Sequence, residues 1–245
     1  MKLKTIRVRR SRPSAPALAL ALALTMLCVY LVSLSAEPGG EESGAAAASA
    51  AGEAEVRMDG LDAAFICDAL YADQTEARVA AANCASSGGA GMLLREDGQY
   101  AVIREAVRPD SAPEGAVRRS ANGLTLKLTG PAAEVAAVSD AVAFLRAQAT
   151  ETGNLAGALE SGATDANSLV ALMEVYRTQG ARARNALEGI SAPDETIARL
   201  QSAVQSELDR LEGAIQSPDA GKMKLIHAAA CGEWISLLNA LTGSA

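Results

Sequence analysis

The feature that most constrains this chain is an uncharged run of eighteen residues, Ala17-Leu-Ala-Leu-Ala-Leu-Ala-Leu-Thr-Met-Leu-Cys-Val-Tyr-Leu-Val-Ser-Leu34, directly behind a basic head. At ~1.5 Å rise per residue, a helix of this length approaches the ~30 Å of a hydrocarbon core. Ala15, Pro16, Ser35 and Ala36 extend it, so residues 15–36 read as a single transmembrane signal anchor. Lys2, Lys4, Arg7, Arg9, Arg10 and Arg12 precede it, which makes residues 1–14 a basic cytoplasmic tail and puts the body outside the cytoplasm. The competing expectation is a cleaved signal peptide, with the small residues Ser33 and Ser35 before Ala36, releasing a secreted protein. Cys28 does not fit a lipoprotein cysteine, because Thr25-Met-Leu27 lacks the small residues that precede one.

Beyond the apolar run the charge changes sign. Six of the 22 basic residues and none of the 29 acidic ones lie in residues 1–36, leaving 16 against 29, a net of −13, from residue 37 onward. Such a body repels phosphate backbones, so nucleic acid is excluded as a partner. Hydrophobic residues make up 49% of the chain, yet they include only two Phe, four Tyr and one Trp. Alanine buries little surface, so the core must be assembled from many thin helical contacts. A single His argues against a Ser–His–Asp or Cys–His centre and against a multi-histidine metal site.

Residues 37–55, rich in Gly, Ala, Ser and Glu, read as a flexible linker. A first body segment over 56–150 follows. Residues 63–71 form a short apolar run with an aromatic near each end, which predicts a strand; Thr75 to Ala85 predicts an alanine-rich helix, closed by Ser86-Ser-Gly-Gly-Ala-Gly91. Met92-Leu-Leu94 and Gln99-Tyr-Ala-Val-Ile103 flank the Glu96-Asp-Gly98 turn as a hairpin, and Leu124 to Leu128 alternates as a strand. Pro131 suits the first turn of a helix with Val135, Val138, Val142 and Leu145 on one face. The predicted fold is α+β: a small antiparallel sheet with two helices on one face, preceded by the transmembrane helix.

Phe65-Ile-Cys-Asp-Ala-Leu-Tyr71-Ala-Asp73-Gln-Thr-Glu-Ala77 resembles the opening strand and helix of the sporulation-related repeat (SPOR) domain family, and Leu126-Lys-Leu-Thr-Gly130-Pro131 is similar to its second half. Cys67 and Ala69 stand where the family often has Gln and Gly, and the insertion between Val107 and Ser120 is long. The resemblance covers roughly residues 58–150 and implies a ferredoxin-like arrangement that binds peptidoglycan glycan strands through the exposed face of the sheet. Tyr71, Gln99 and Tyr100 are the sugar-binding candidates on that basis.

Over 151–245 the spacing is helical. Ile197, Leu200, Val204, Leu208, Leu211 and Ile215 fall at steps of 3, 4, 4, 3 and 4, as do Met223, Ile226, Ala230, Trp234, Leu237 and Leu241, and Leu169, Leu172, Tyr176, Gly180, Ala183 and Leu187. This predicts a helical hairpin or three-helix bundle over about 165–242, with Ser191 as an N-cap and Pro193 in a first turn. Its stripes serve either as intramolecular core or as a contact for a protein partner or a second copy. Cys67 and Cys84 fit either a disulfide or buried free thiols. No motif nominates catalytic residues, metal ligands or a cofactor site, and His227 reads as a helix-surface or core-edge residue. The expected function is therefore non-enzymatic: a membrane-anchored cell-envelope protein that binds glycan in division or sporulation, or a scaffold that associates through its helices.

Overall fold

Residues 52–243 are described by a computed structural model of the chain; they belong to one compact unit, 48–245. The expected tail, the transmembrane segment 15–36 and the linker up to residue 51 lie outside the described residues. Among the described residues no helix is long and apolar enough to cross a membrane.

Two antiparallel ladders in one register organise the β structure. Strand β1 (Gly52–Met58) pairs with β6 (Leu124–Gly130), and β2 (Leu61–Tyr71) pairs with β5 (Val117–Ala121). Met58 lies opposite Leu124 and Leu61 opposite Ala121, so pairing resumes without a slip after two residues on each chain. At the break the backbones touch. A Cβ on Gly60 would sit 2.7 Å from the Ala121 carbonyl oxygen, and one on Gly123 would sit 2.8 Å from that of Met58. Only glycine permits that approach, and the ladder divides there into two sheets.

The larger sheet has the order β3-β4-β2-β5, with β3 at Met92–Glu96 and β4 at Gln99–Val107. Its central pair slips twice, once on each strand, leaving Arg104 of β4 and Asp68 of β2 as extra residues. The two extra residues bind each other: Arg104 Nε donates to Asp68 Oδ1 at 2.7 Å and Nη2 to Oδ2 at 2.9 Å. Opposite bulges held by one bidentate pair keep the remainder of the strands in phase.

The described residues contain six α-helices: α1 (Gln74–Ser86), α2 (Ala132–Glu151), α3 (Leu155–Glu160), α4 (Ala166–Glu188), α5 (Glu195–Gln216) and α6 (Ala220–Thr242). Four of them start at an aspartate whose carboxylate accepts first-turn N–H groups: Asp73, Asp165, Asp194 and Asp219. The expected cap at Ser191 is thus displaced to Asp194, which accepts from the Ile197 N–H at 2.9 Å. The Asp194 carboxylate also meets the positive end of the helix dipole.

The expected fold class needs correction. One small sheet with two helices on one face, followed by a separate hairpin or bundle, is replaced by two antiparallel sheets and one continuous core that runs from Val56 in β1 to Leu238 in α6. Only α1 lies on the outer face of the larger sheet. Helix α2 instead packs against α4, α5, α6 and the β1–β6 ribbon, while α6 lies against β2, β4 and β5. The physical reason is the distribution of apolar surface. Helix α6 buries Ile226, Ala228, Ala230, Cys231, Trp234, Ile235, Leu237 and Leu238 on several sides at once, and a helix that is apolar nearly all round must sit between layers. It therefore occupies the sheet face that the SPOR-like arrangement leaves open.

Candidate functional site

The sheet alternates its side chains between the two layers, so register assigns each candidate to a face. Ala101 and Ile103 of β4 point into the main core, whereas Val102 packs with Ala81 and Cys84 of α1 in a second, smaller cluster. Tyr100 shares the side of Val102, and Gln99 shares the side of Ala101. Tyr71 is the direct cross-strand partner of Tyr100 and packs against the small cluster beneath α1. The structure therefore brings Tyr71 and Tyr100 together and puts Gln99, exposed, on the alternate side beside the Asp97–Gly98 turn.

Sequence reasoning missed a third member of this row. Arg95 of β3 pairs with Tyr100, so Tyr71, Tyr100 and Arg95 run side by side over three adjacent strands. Both tyrosines are half-buried and Arg95 is exposed. Neighbouring strands lie ~4.8 Å apart, so the row over three strands spans about 10 Å. Its chemical means are two aromatic faces with phenolic hydroxyls and a guanidinium with several N–H donors. On the other side of the hairpin, Glu96 accepts from Arg119 of β5 at 2.5 Å, and Arg119 also donates to the Arg95 carbonyl at 2.7 Å. The outer strands β3 and β5 are thereby fastened to each other.

A second polar cluster is enclosed within the helices. Glu207 of α5 is 1% exposed and is bonded by Arg210, which also donates to Glu233 of α6 at 2.8 Å. Burial pushes the Glu207 carboxyl up to about 8; Arg210 opposes the rise and Glu233 adds to it. One carboxylate oxygen of Glu207 and both amide atoms of the fully buried Gln148 have no partner among the described residues. His227 places Nδ1 3.2 Å from Thr152 Oγ1 and Nε2 3.7 Å from Cys231 Sγ.

That His–Cys contact does not make a nucleophile. Burial holds the imidazole down to about 4 and pushes the Cys231 thiol up to about 12, so both stay neutral near pH 7, the reverse of an activated thiolate. The Cys231 thiol donates to the Ala149 carbonyl at 3.4 Å. His227 is half-buried, which fits the core-edge alternative and not the helix-surface one, because residues 152–154 turn back over it: a Cβ on Gly153 would approach its ring to 2.8 Å. Cys67 and Cys84 are free thiols. Cys67 packs towards the main core and Cys84 beneath α1, on opposite faces of the sheet, so the disulfide alternative falls away. Among the described residues no group of three or more His, Cys, Asp or Glu side chains is placed to hold a metal ion.

Compared with models of known families, with curated proteins and with solved structures, the chain matches none.

Proposed function

We propose that this chain is a non-enzymatic, membrane-anchored cell-envelope protein that binds peptidoglycan glycan strands during division or sporulation, with its N-terminus in the cytoplasm and its body outside. The observation that carries the reading is the row of Tyr71, Tyr100 and Arg95 across β2, β4 and β3. Aromatic faces next to phenolic and guanidinium donors suit a neutral polyhydroxylated chain. The resemblance of Phe65 to Ala77 to the SPOR family lends further support, as does the apolar run of residues 17–34 as an anchor. With α6 on the inner face of the sheet, the binding surface in this proposal is the outer end row.

The competing reading, a scaffold that associates through its helices, has less support. Leu169, Leu200, Leu211, Met223 and Ile226 are each at most 2% exposed, so their stripes are used within the molecule. The test is co-sedimentation of the full chain in detergent with amidase-stripped glycan strands. Retention is expected for the unaltered chain and lost in Tyr100→Ala and Arg95→Gln, the latter an exposed position that leaves the core intact. Retention no greater than that of an unrelated acidic protein would remove the glycan reading.

A further inference from the structure

Among the described residues one edge of strand β1 has no partner strand. Its one partner among the described strands is β6. Because β1 continues the line of β2 in the same register, its other edge continues the side on which β4 pairs with β2. Strand β4 stops at Val107, opposite Ala64, and the chain turns off through Arg108 and Pro109. Proline has no N–H to extend the ladder. The backbone beside β1 is therefore left without a neighbouring strand where β4 departs.

A cleft of about 220 Å³ lies against this edge. Glu55, Val56 and Arg57 all line it. Successive strand residues point to opposite faces, so three in a row can border one cleft only if it runs along the strand's edge. The opposite wall is α2, with Ser139 and Arg146, and Trp234 of α6 closes one end.

Four charged side chains line the cleft: Glu55, Arg57 and Asp59 are exposed, and Arg146 is the half-buried one. It donates from Nη1 to the Gly60 carbonyl at 3.1 Å, and its guanidinium lies 6.0 Å from the centre of the Trp234 ring. Among the described residues no carboxylate pairs with it, whereas Arg57 is neutralised by Asp59 at 3.0 Å. Its Nε and Nη2 donors are thus free for a ligand, on a side chain already held in place by a carbonyl and an indole.

We infer that the free edge of β1 and the cleft beside it form a docking groove for an extended peptide that carries a carboxylate, as an acidic side chain or a free C-terminus. The peptide's backbone adds to β1 as a further strand, and its carboxylate meets Arg146. The excess of acidic residues on the body restricts the partner to a peptide with little further negative charge. This inference is independent of the glycan reading and uses none of its residues.

The probe is a fluorescent Thr-Val-Thr-Val-Glu peptide with a free C-terminus, titrated by polarisation against the full chain in detergent micelles. Saturable binding is expected. A loss of affinity of at least ~10-fold is expected for the same peptide ending in glutamine amide, and also for Arg146→Gln. A peptide N-methylated at alternate residues is expected to lose binding to the unaltered protein, which tests strand addition without disturbing the fold. Equal binding of the N-methylated peptide, an unaffected Arg146→Gln, or no saturable binding would each overturn the proposal. Dimerisation of the chain without peptide capture, measured by sedimentation velocity, would do the same and assign the edge to a second copy.

Discussion

The two faces of the larger sheet are covered by helices of very different build. On the outer face α1 offers Ala77, Ala81 and Cys84 against Val102, with half-buried Tyr71 and Leu93 at the margin. On the inner face α6 brings Ile226, Trp234, Ile235 and Leu238 to a core that includes Phe65, Ile103 and Met58. Helix α1 leaves Val79 60% exposed. Burial free energy scales with apolar area, so the outer helix is held by little more than its caps and a few methyl groups, while the inner one is held by the whole core. An alanine-rich chain can evidently place its few large residues unevenly, with a rigid interior and a lightly attached flank beside the candidate row. Regions of this second kind open at lower free energy than the global transition.

The sharpest way to break that comparison is to remove the inner anchor. Trp234 is 2% exposed and donates from Nε1 to the Asp59 carbonyl at 3.0 Å, tying α6 to the junction of the two ladders. Trp234→Ala is expected to cost about 3–5 kcal/mol, read as a lower urea midpoint. A loss below about 1 kcal/mol would mean that α6 does not organise the core.

Intermediate effects come from the enclosed titratable groups. The folded protein keeps Glu207 protonated up to about 8, against an ordinary value of 4.5. Stability from this group is therefore complete below 4.5 and is lost as the pH rises through 8. The folded protein keeps His227 neutral down to about 4, against an ordinary 6.5. Its contribution is complete above 6.5 and is lost as the pH falls through 4. Between those ordinary values the two slopes cancel, so unfolding free energy is expected to plateau from pH 4.5 to 6.5 and to decline on either side. Glu207→Gln should abolish the alkaline decline and add about 1–3 kcal/mol at pH 8.5. Thermal melts of the variant that still weaken above neutral pH would show that Glu207 is not the group responsible.

The smallest effect belongs to the outer flank. Asp73 accepts from the N–H groups of Thr75 at 2.8 Å and Glu76 at 2.9 Å. Asp73→Ala is expected to cost about 1 kcal/mol, confined in hydrogen exchange to α1 and leaving α6 protected. Equal loss of protection in both helices would mean that the two coverings unfold as one unit and that the contrast drawn here is only one of composition.

Much of the local structure was legible in the residues. The strand expected over 63–71 occupies Leu61–Tyr71, the hairpin forms around Asp97–Gly98, and α1 and α2 start where Asp73 and Pro131 place them. The three helical spacings all face the core, where Leu200, Val204, Met223 and Trp234 are almost completely enclosed. Two strands escaped. Gly52 to Glu55 has the composition of a linker, and Val117-Arg-Arg-Ser-Ala121 that of a solvated loop, yet both are strands because a partner lies opposite: Glu55 against Lys127, and Ala63 against Arg119. Of the candidate row, the two tyrosines were legible as aromatic residues, whereas Arg95 became a neighbour only through the β3–β4 register.

Taken alone, the sequence determined what depends on near neighbours along the chain: the helical periods, the aspartate caps, the tight turn at Asp97–Gly98, and the sign of charge on either side of the apolar run. The partners of those elements were decided by the tertiary structure. Periodicity states that a helix has an apolar side and how wide it is, and it is silent on which surface fills it. Helix α6, apolar on several sides, lowers its free energy most between the sheet and α2 rather than in a bundle of its own. That placement covers the inner face of the sheet, the side of Ala101 and Ile103, and leaves Tyr71 and Tyr100 on the outer one.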